Sequence, residues 1–286
     1  MRFRSIALGG LLAWSLPLVA LAADLIPMGQ FHWQSNRVEF GGFSGISLQN
    51  NGQTVFALSD RGRLFEAALT RENGRIMRME VTAVHRVLER DGTAMRRFLS
   101  DAEGLEMAAD GAHVIAFESY PRIWAYETPG GPARKLHVWD LFWALLGNQG
   151  LEALARDEAG TLWAISEEDG QVWTSQSQGG FAKGPKIPTA DKFRITGADF
   201  GPDGLLYVVE RRVKWMRSFA TRIRRIDPDI LDFGEVLLTD DTGLLDNSEG
   251  IDLWEDADGR TRLTLIADDN FSPFQKTVVT EFELVE

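Results

Sequence analysis

The sequence contains no cysteine, and only four histidines and three tyrosines in 286 residues. Without cysteine there are no disulfides, no thiolate nucleophile and no thiolate-ligated metal. The histidines (His32, His85, His113 and His137) fall on segments patterned as strands, where an ordinary strand residue is a simpler reading than a catalytic base. No Gly-x-Ser-x-Gly elbow is present, because Gly42-Phe43-Ser44-Gly45 lacks the spacing. A phosphate loop and a dinucleotide fingerprint are also missing. Positive charge is scarce: 30 Lys and Arg face 42 Asp and Glu, a formal net charge of -12. Nucleic acid and anionic membrane surfaces are therefore poor partners. Beyond the first 22 residues no apolar run is long enough to span a bilayer.

The N-terminus has the layout of a secretory signal peptide. Arg2 and Arg4 form a basic start, Ile6 to Ala20 an apolar core, and Ala20 and Ala22 a small-x-small cleavage pattern. The alternative is a retained anchor, for which the apolar run is short. Cleavage after Ala22 leaves residues 23–286 as one expected domain, exported to the periplasm or secreted. A disulfide-free exported chain suits a bacterial periplasm. The 44% hydrophobic and 25% charged composition is that of a globular protein with an ample core.

One pattern recurs five times. A small or polar residue and a glycine open a short alternating segment. A glycine turn follows, and a second alternating segment runs to an acid. The copies begin at Ser44-Gly45, Glu103-Gly104, Gln149-Gly150, Thr196-Gly197 and Glu249-Gly250, and end at Asp60, Glu118, Glu167, Glu210 and Asp268. Their first glycines lie roughly 46 to 59 residues apart, a blade-sized period. Alternation at period two marks half-buried strands, and Asn51-Gly52, Asp110-Gly111, Asp203-Gly204 and Asp258-Gly259 mark hairpin turns. Asp256-Ala257-Asp258-Gly259 is not a calcium loop, since Trp254 stands where an oxygen ligand would be needed. Further strands after each pair make the chain an all-β, single β-propeller. Five blades are visible. A sixth would have to hide near Arg86 to Asp101. Only Thr277 to Leu284 follows the fifth pair, so Leu25 to Trp33 is expected to supply that blade's outer strand and close the ring. Asp140 to Leu146 reads as a short helical insertion carrying Trp143. Trp124, Trp163, Trp173, Tyr207 and Trp254 are expected to pack between blades.

The start of a hairpin's first strand and the end of its second lie at one end. Ser44, Glu103, Gln149, Thr196 and Glu249 should therefore meet Asp60, Glu118, Glu167, Glu210 and Asp268 at one mouth of the axis. So many carboxylates need shared protons, cationic partners or a bound cation. Arg61, Arg122, Arg211, Arg212 and Lys276 stand nearby in sequence. Two readings stay open: a ring of ion pairs holding blades in register, and a metal or substrate site. Oxygen ligands alone favour Ca²⁺ or Mg²⁺ over Zn²⁺.

Phe43-Ser44-Gly45-Ile46, Ser59-Asp60-Arg61-Gly62, Glu103-Gly104-Leu105-Glu106, Gln149-Gly150-Leu151-Glu152-Ala153-Leu154, Glu249-Gly250-Ile251-Asp252 and Asp268-Asp269-Asn270-Phe271 together resemble the phytase-like domain of "esterase-like activity of phytase" proteins. The resemblance runs from about Gly41 to Glu283. It implies an exported propeller and hydrolysis of phosphate or carboxylate esters.

The expected function is metal-assisted ester hydrolysis by a monomer acting on an anionic small molecule. Asp60, Glu118, Glu167, Glu210 and Asp268 are the expected metal ligands, with a divalent cation such as Ca²⁺. Glu103 and Glu249 are the candidates for base or ligand, and Arg61, Arg122, Arg211 and Lys276 would orient the substrate. The alternative is a non-enzymatic binding propeller of the cell envelope. Pairing of Arg61, Arg122 and Arg211 with ring acids would favour the alternative, and converging unpaired carboxylates would favour the enzyme.

Overall fold

A computed structural model describes residues 23–135, 142, 150–215 and 218–285. Among these residues, twenty strands form five four-stranded antiparallel sheets arranged as the blades of a propeller. Strand β1 is Asp24–His32. Blade one holds β2 (Phe43–Gln49), β3 (Thr54–Ser59), β4 (Arg63–Glu72) and β5 (Arg75–Arg86). Blade two holds β6 (Ala102–Met107), β7 (His113–Phe117), β8 (Arg122–Tyr126) and β9 (Ala133–Lys135). Blade three holds β10 (Leu151–Arg156), β11 (Leu162–Ser166), β12 (Gln171–Ser175) and β13 (Phe181–Lys186). Blade four holds β14 (Arg194–Phe200), β15 (Leu206–Val213), β16 (Phe219–Ile226) and β17 (Glu235–Asp240). Blade five holds β18 (Ser248–Glu255), β19 (Thr261–Ala267) and β20 (Val278–Val285), with β1 paired to β20 as its outermost strand. The two ends of the chain thus close the ring, as the leftover strand at the C-terminus required.

The stretch 86–101 carries no sixth blade. It holds an isolated bridge between Leu88 and Ala94 and one 3₁₀ turn, Arg97–Leu99. The expected signal peptide, Gln149, His137 and Trp143 lie outside the described residues. Of the expected helical insertion only Phe142 is described, buried 5.4 Å from the Trp173 ring.

In blades one, three, four and five the outermost strand is the most exposed. The inner strands β2 and β10 are buried almost throughout, whereas β1 and β13 are largely exposed. The apolar residues form five clusters, one for each interface between neighbouring blades. Trp254, Tyr207, Trp163, Trp124 and Trp173 each pack in a different one of these five. An aromatic ring is well suited to fill the wedge between two twisted sheets.

The inner strands β2, β6, β10, β14 and β18 are mutual neighbours around the axis. Carboxylates tie some of them together. The amide of Leu253 donates to Asp199 Oδ2 at 2.6 Å, and that of Leu48 to Asp252 Oδ2 at 3.0 Å. Close approach explains the repeated glycines. A Cβ on Gly250 would lie 3.0 Å from the Ile46 nitrogen of the next blade, and one on Gly197 would overlap the Glu249 carbonyl oxygen. Gly197→Ala is therefore expected to cost about 3 kcal/mol, the upper end for overpacking, because backbone rather than a flexible side chain must move. Urea unfolding checks this, and an unchanged midpoint would show that the inner strands can part.

Candidate acidic site at the propeller mouth

Each inner strand carries a β-bulge at the same place. Pairing with the second strand shifts between Phe43 and Gly45, Ala102 and Leu105, Leu151 and Ala153, Ile195 and Gly197, and Ser248 and Gly250. A bulge leaves a residue out of the ladder and re-aims its side chain. The residues so released are Ser44, Glu103, Glu152, Thr196 and Glu249. Blade three therefore differs from the sequence expectation. Its equivalent residue is Glu152, with Ala153 in the glycine position, and not Gln149 before Gly150.

The register also identifies the residues opposite. Phe43, Leu151, Ile195 and Ser248 pair with Ser59, Ser166, Glu210 and Ala267, and Ala102 with Phe117. The next residue along each second strand is Asp60, Glu167, Arg211, Asp268 or Glu118 respectively. Blade four thus presents Arg211 at the mouth. Glu210 sits one residue earlier, fully buried within its sheet, with Arg222 Nε at 2.6 Å and Arg224 Nη2 at 2.5 Å. It is a structural ion pair and does not join the other acids.

Ser44, Glu103, Glu152 and Glu249 line the axis with the glycines. The void among them is only about 10 Å³, room for no more than about one water. The axis is plugged, so any chemistry belongs to the mouth above it. There Asp60, Asp101, Glu103, Glu118, Glu152, Glu167, Glu249 and Asp268 act electrostatically on one another. Asp101 was not expected from sequence. It precedes β6, accepts a hydrogen bond from the Ser119 hydroxyl, and its carbonyl accepts the Glu118 amide at 3.0 Å. Asp101, Glu103 and Glu118 offer carboxylate oxygens that all lie within 4.8 Å of one another.

Arg211 is the cation set among these acids. It donates to Glu249, to Asn247 Oδ1 at 2.7 Å and to Glu167 Oε1 at 3.2 Å. Arg194 reaches Glu167 from the rim at 3.5 Å. Burial pulls the Arg211 pKa down, but Glu249, Glu167 and Glu152 outweigh it and the net shift is upward. The acids move the other way. Burial pushes Asp60 up to about 7, with Arg61 opposing and Asp101 and Glu249 adding to the rise. Burial, Asp101 and Glu167 push Glu118 up to about 7. Burial and Glu249 push Asp268 up to about 8. Glu103 is raised well above the carboxylate range by burial, then by Glu152 and Glu249. Burial and Glu167 do the same to Glu152. Glu249 is raised by burial against the pull of Arg211 and Asn247.

Of the other expected substrate ligands, Arg122 and Lys276 lie apart from this cluster and Arg61 stands at its edge. Arg122 is buried on β8, stacked 3.8 Å over the Phe117 ring and bonded to the carbonyls of Leu99 and Tyr120. It fastens the 86–101 connection to blade two. Arg61 is exposed, and its guanidinium lies 3.2 Å over the Phe271 ring, next to Asp60. Lys276 is exposed beside a groove that includes Trp33 and Phe271. Arg212 pairs with Asp241 at 2.9 Å. Asp269 clamps blade one to blade five, accepting the Gly42 amide at 2.9 Å and the Thr277 hydroxyl at 3.0 Å. His113 is buried against Tyr126, and His85 faces Glu66 at 3.3 Å.

The fold is shared with solved structures of low identity. An α-L-arabinofuranosidase from Podospora anserina, in complex with cellotriose, is 10% identical with a TM-score of 0.54, over 92% of this chain and 97% of that one. A PQQ-bound aldose sugar dehydrogenase from Streptomyces coelicolor is 11% identical with a TM-score of 0.49, over 90% of this chain and 98% of that one. A putative gluconolactonase is 14% identical with a TM-score of 0.48, over 84% and 74%. At 10% identity the likeness to the arabinofuranosidase shows the fold alone. No curated protein matches the sequence. The model of the phytase-like family, described as "Esterase-like activity of phytase", matches residues 38–271, and the chain belongs to that family.

Proposed function

We propose that this chain is an exported, metal-assisted hydrolase of phosphate or carboxylate esters, acting at the acidic mouth with a divalent cation, Ca²⁺ in the first place. The observation that carries the reading is the convergence of Asp101, Glu103 and Glu118 within 4.8 Å. Oxygens bound at 2.3–2.6 Å to one ion lie at most about 5 Å apart, so these three fit one cation. An all-oxygen donor set suits a hard ion. Eight carboxylates around one arginine would also repel an anionic ester unless a cation or protons offset them. The ion would polarise the ester oxygen and lower the pKa of a bound water.

The chain's own groups supply the rest. Glu249, oriented by Arg211 and Asn247, is the candidate base that takes a proton from the attacking water. Glu152, whose pKa is raised by burial and by Glu167, is the candidate donor of a proton to the departing alkoxide. Arg61 at the edge can hold the anionic end of the substrate. Asp60, Glu167 and Asp268 remain available as further ligands, and Glu210, committed to Arg222 and Arg224, does not. Of the three arginines that could have quenched the site, only Arg211 pairs with mouth acids, which favours the enzyme over a purely binding propeller.

Purified mature protein is expected to hydrolyse p-nitrophenyl phosphate or p-nitrophenyl acetate, to lose at least about 99% of that turnover with chelator, and to regain it with Ca²⁺. Turnover that chelator leaves untouched, or none for either ester class, would remove the reading.

A further inference from the structure

Beside the acidic mouth lies a pocket of opposite character. It is a cavity of about 340 Å³ whose lining includes Arg61, Gly62, Arg63, Arg86, Arg97 and Ser100. Among the described residues none of the four arginines forms an ion pair within 4 Å, in a chain of net charge -12; Asp60 acts on Arg61 and Glu39 on Arg63 from farther off. Arginines elsewhere are treated differently: Arg71 pairs with Glu281, Arg156 with Glu106, and Arg262 with Asp256. Arg63 and Arg86 are direct cross-strand partners on β4 and β5. Like charges directly opposite one another destabilise a sheet unless an anion lies between them. Burial and the charge of Arg86 lower the Arg63 pKa, with Glu39 opposing. The backbone maintains the crowding. Gly62, at φ +62°, turns the chain sharply between Arg61 and Arg63, and a Cβ there would lie 2.9 Å from Ser100 Cβ. Arg97 comes from the 3₁₀ turn of the 86–101 connection, which Arg122 fastens in place.

We propose that this pocket binds a phosphate dianion, either free or as the terminal group of a small phosphomonoester. Guanidinium groups present paired N–H donors that match the oxygens of a tetrahedral oxyanion. Arg61 is stacked on Phe271 and Arg63 gives Nη1 to the carbonyls of Arg61 and Gly62, so Arg86, Arg97 and the other nitrogens of Arg63 supply the donors. The pocket adjoins the mouth through Arg61, which also acts on Asp60, but none of its lining residues is one of the three carboxylates that converge there.

Isothermal titration tests the site with the mature chain, chelator present and ionic strength fixed by chloride. Inorganic phosphate and phenyl phosphate are titrated separately. Saturable binding of both supports a phosphomonoester site, and binding of inorganic phosphate alone supports a site for the free ion. Arg63→Gln with Arg86→Gln is expected to weaken binding at least about tenfold, about 1.4 kcal/mol, while circular dichroism shows the fold retained. Asp101→Asn with Glu118→Gln should leave phosphate binding in place. Binding of neither ligand overturns the proposal. So does binding that the folded arginine variant leaves unchanged, or binding that the mouth variant abolishes.

Discussion

Replacing Asp101 by Asn and Glu118 by Gln together is expected to abolish divalent-cation binding and, at the same time, to raise the melting temperature of the metal-free protein at pH 8. The two effects have one cause. Both carboxylates offer oxygens to the same point, and oxygen-site affinity follows the number of charged ligands, so losing two of three should weaken Ca²⁺ by at least about 100-fold. Without an ion the same charges only repel. Asp101 raises the pKa of Asp60, Glu103 and Glu118, and Glu118 raises that of Glu103 and Glu152. Removing them relieves this repulsion, while an Asn side chain can still accept the Ser119 hydroxyl. A gain of about 1 kcal/mol corresponds to about 2–4 °C in a chain of this size. Calorimetry of the apo variant checks it. A fall in melting temperature would mean that the acids act as stabilising partners in ion pairs.

Metal-free protein should also lose stability as pH rises through neutrality. The sign follows from the direction of the shifts. Asp60 and Glu118 at about 7 and Asp268 at about 8 bind protons more tightly folded than unfolded, where carboxyls titrate near 4. The folded state therefore holds more protons between these limits. Their contribution is complete below about pH 4 and is lost as pH climbs through 7 to 8. Asp256 acts oppositely. Burial raises it, but hydrogen bonds from the Arg260 amide and from Arg262 outweigh this and hold it down to about 2, so its stabilisation fades only in strong acid. The melting temperature of apo protein is expected to be at least about 5 °C higher at pH 5.5 than at pH 8, and saturating Ca²⁺ should close most of that gap by replacing the protons. A flat profile from 5.5 to 8 would mean that the mouth acids keep ordinary pKa values.

Much of this was legible in the sequence because it is local. Asn51-Gly52 and Asp258-Gly259 turn hairpins whatever surrounds them, and the unpaired strand at Val278–Val285 demanded a partner that only Asp24–His32 could supply. The site was legible in outline, since hairpin geometry brings Glu103, Glu118, Glu167, Glu249, Asp60 and Asp268 to one end. Two details were hidden by register. In blade three Gly150 draws attention, yet alanine suffices at the close approach, and aligning Leu151-Glu152-Ala153-Leu154 with Ala102-Glu103-Gly104-Leu105 would have found Glu152. In blade four β15 runs on to Val213, so Glu210 lies within the strand and the following Arg211 takes the mouth position. A shift of one residue exchanges the faces of a strand. The arginine pocket was not legible, because Arg63, Arg86 and Arg97 meet only through the pairing of β4 with β5 and the path of a long connection.

The most direct test is a calorimetric titration of Ca²⁺ into chelator-treated mature protein at pH 7.5, run in two buffers of different ionisation enthalpy. One saturable site is expected, with protons released as the ion displaces them from the mouth carboxyls, and with both signals gone in the Asp101→Asn, Glu118→Gln variant. No saturable heat with Ca²⁺, or a site that this variant retains in full, would contradict a cation held by these carboxylates.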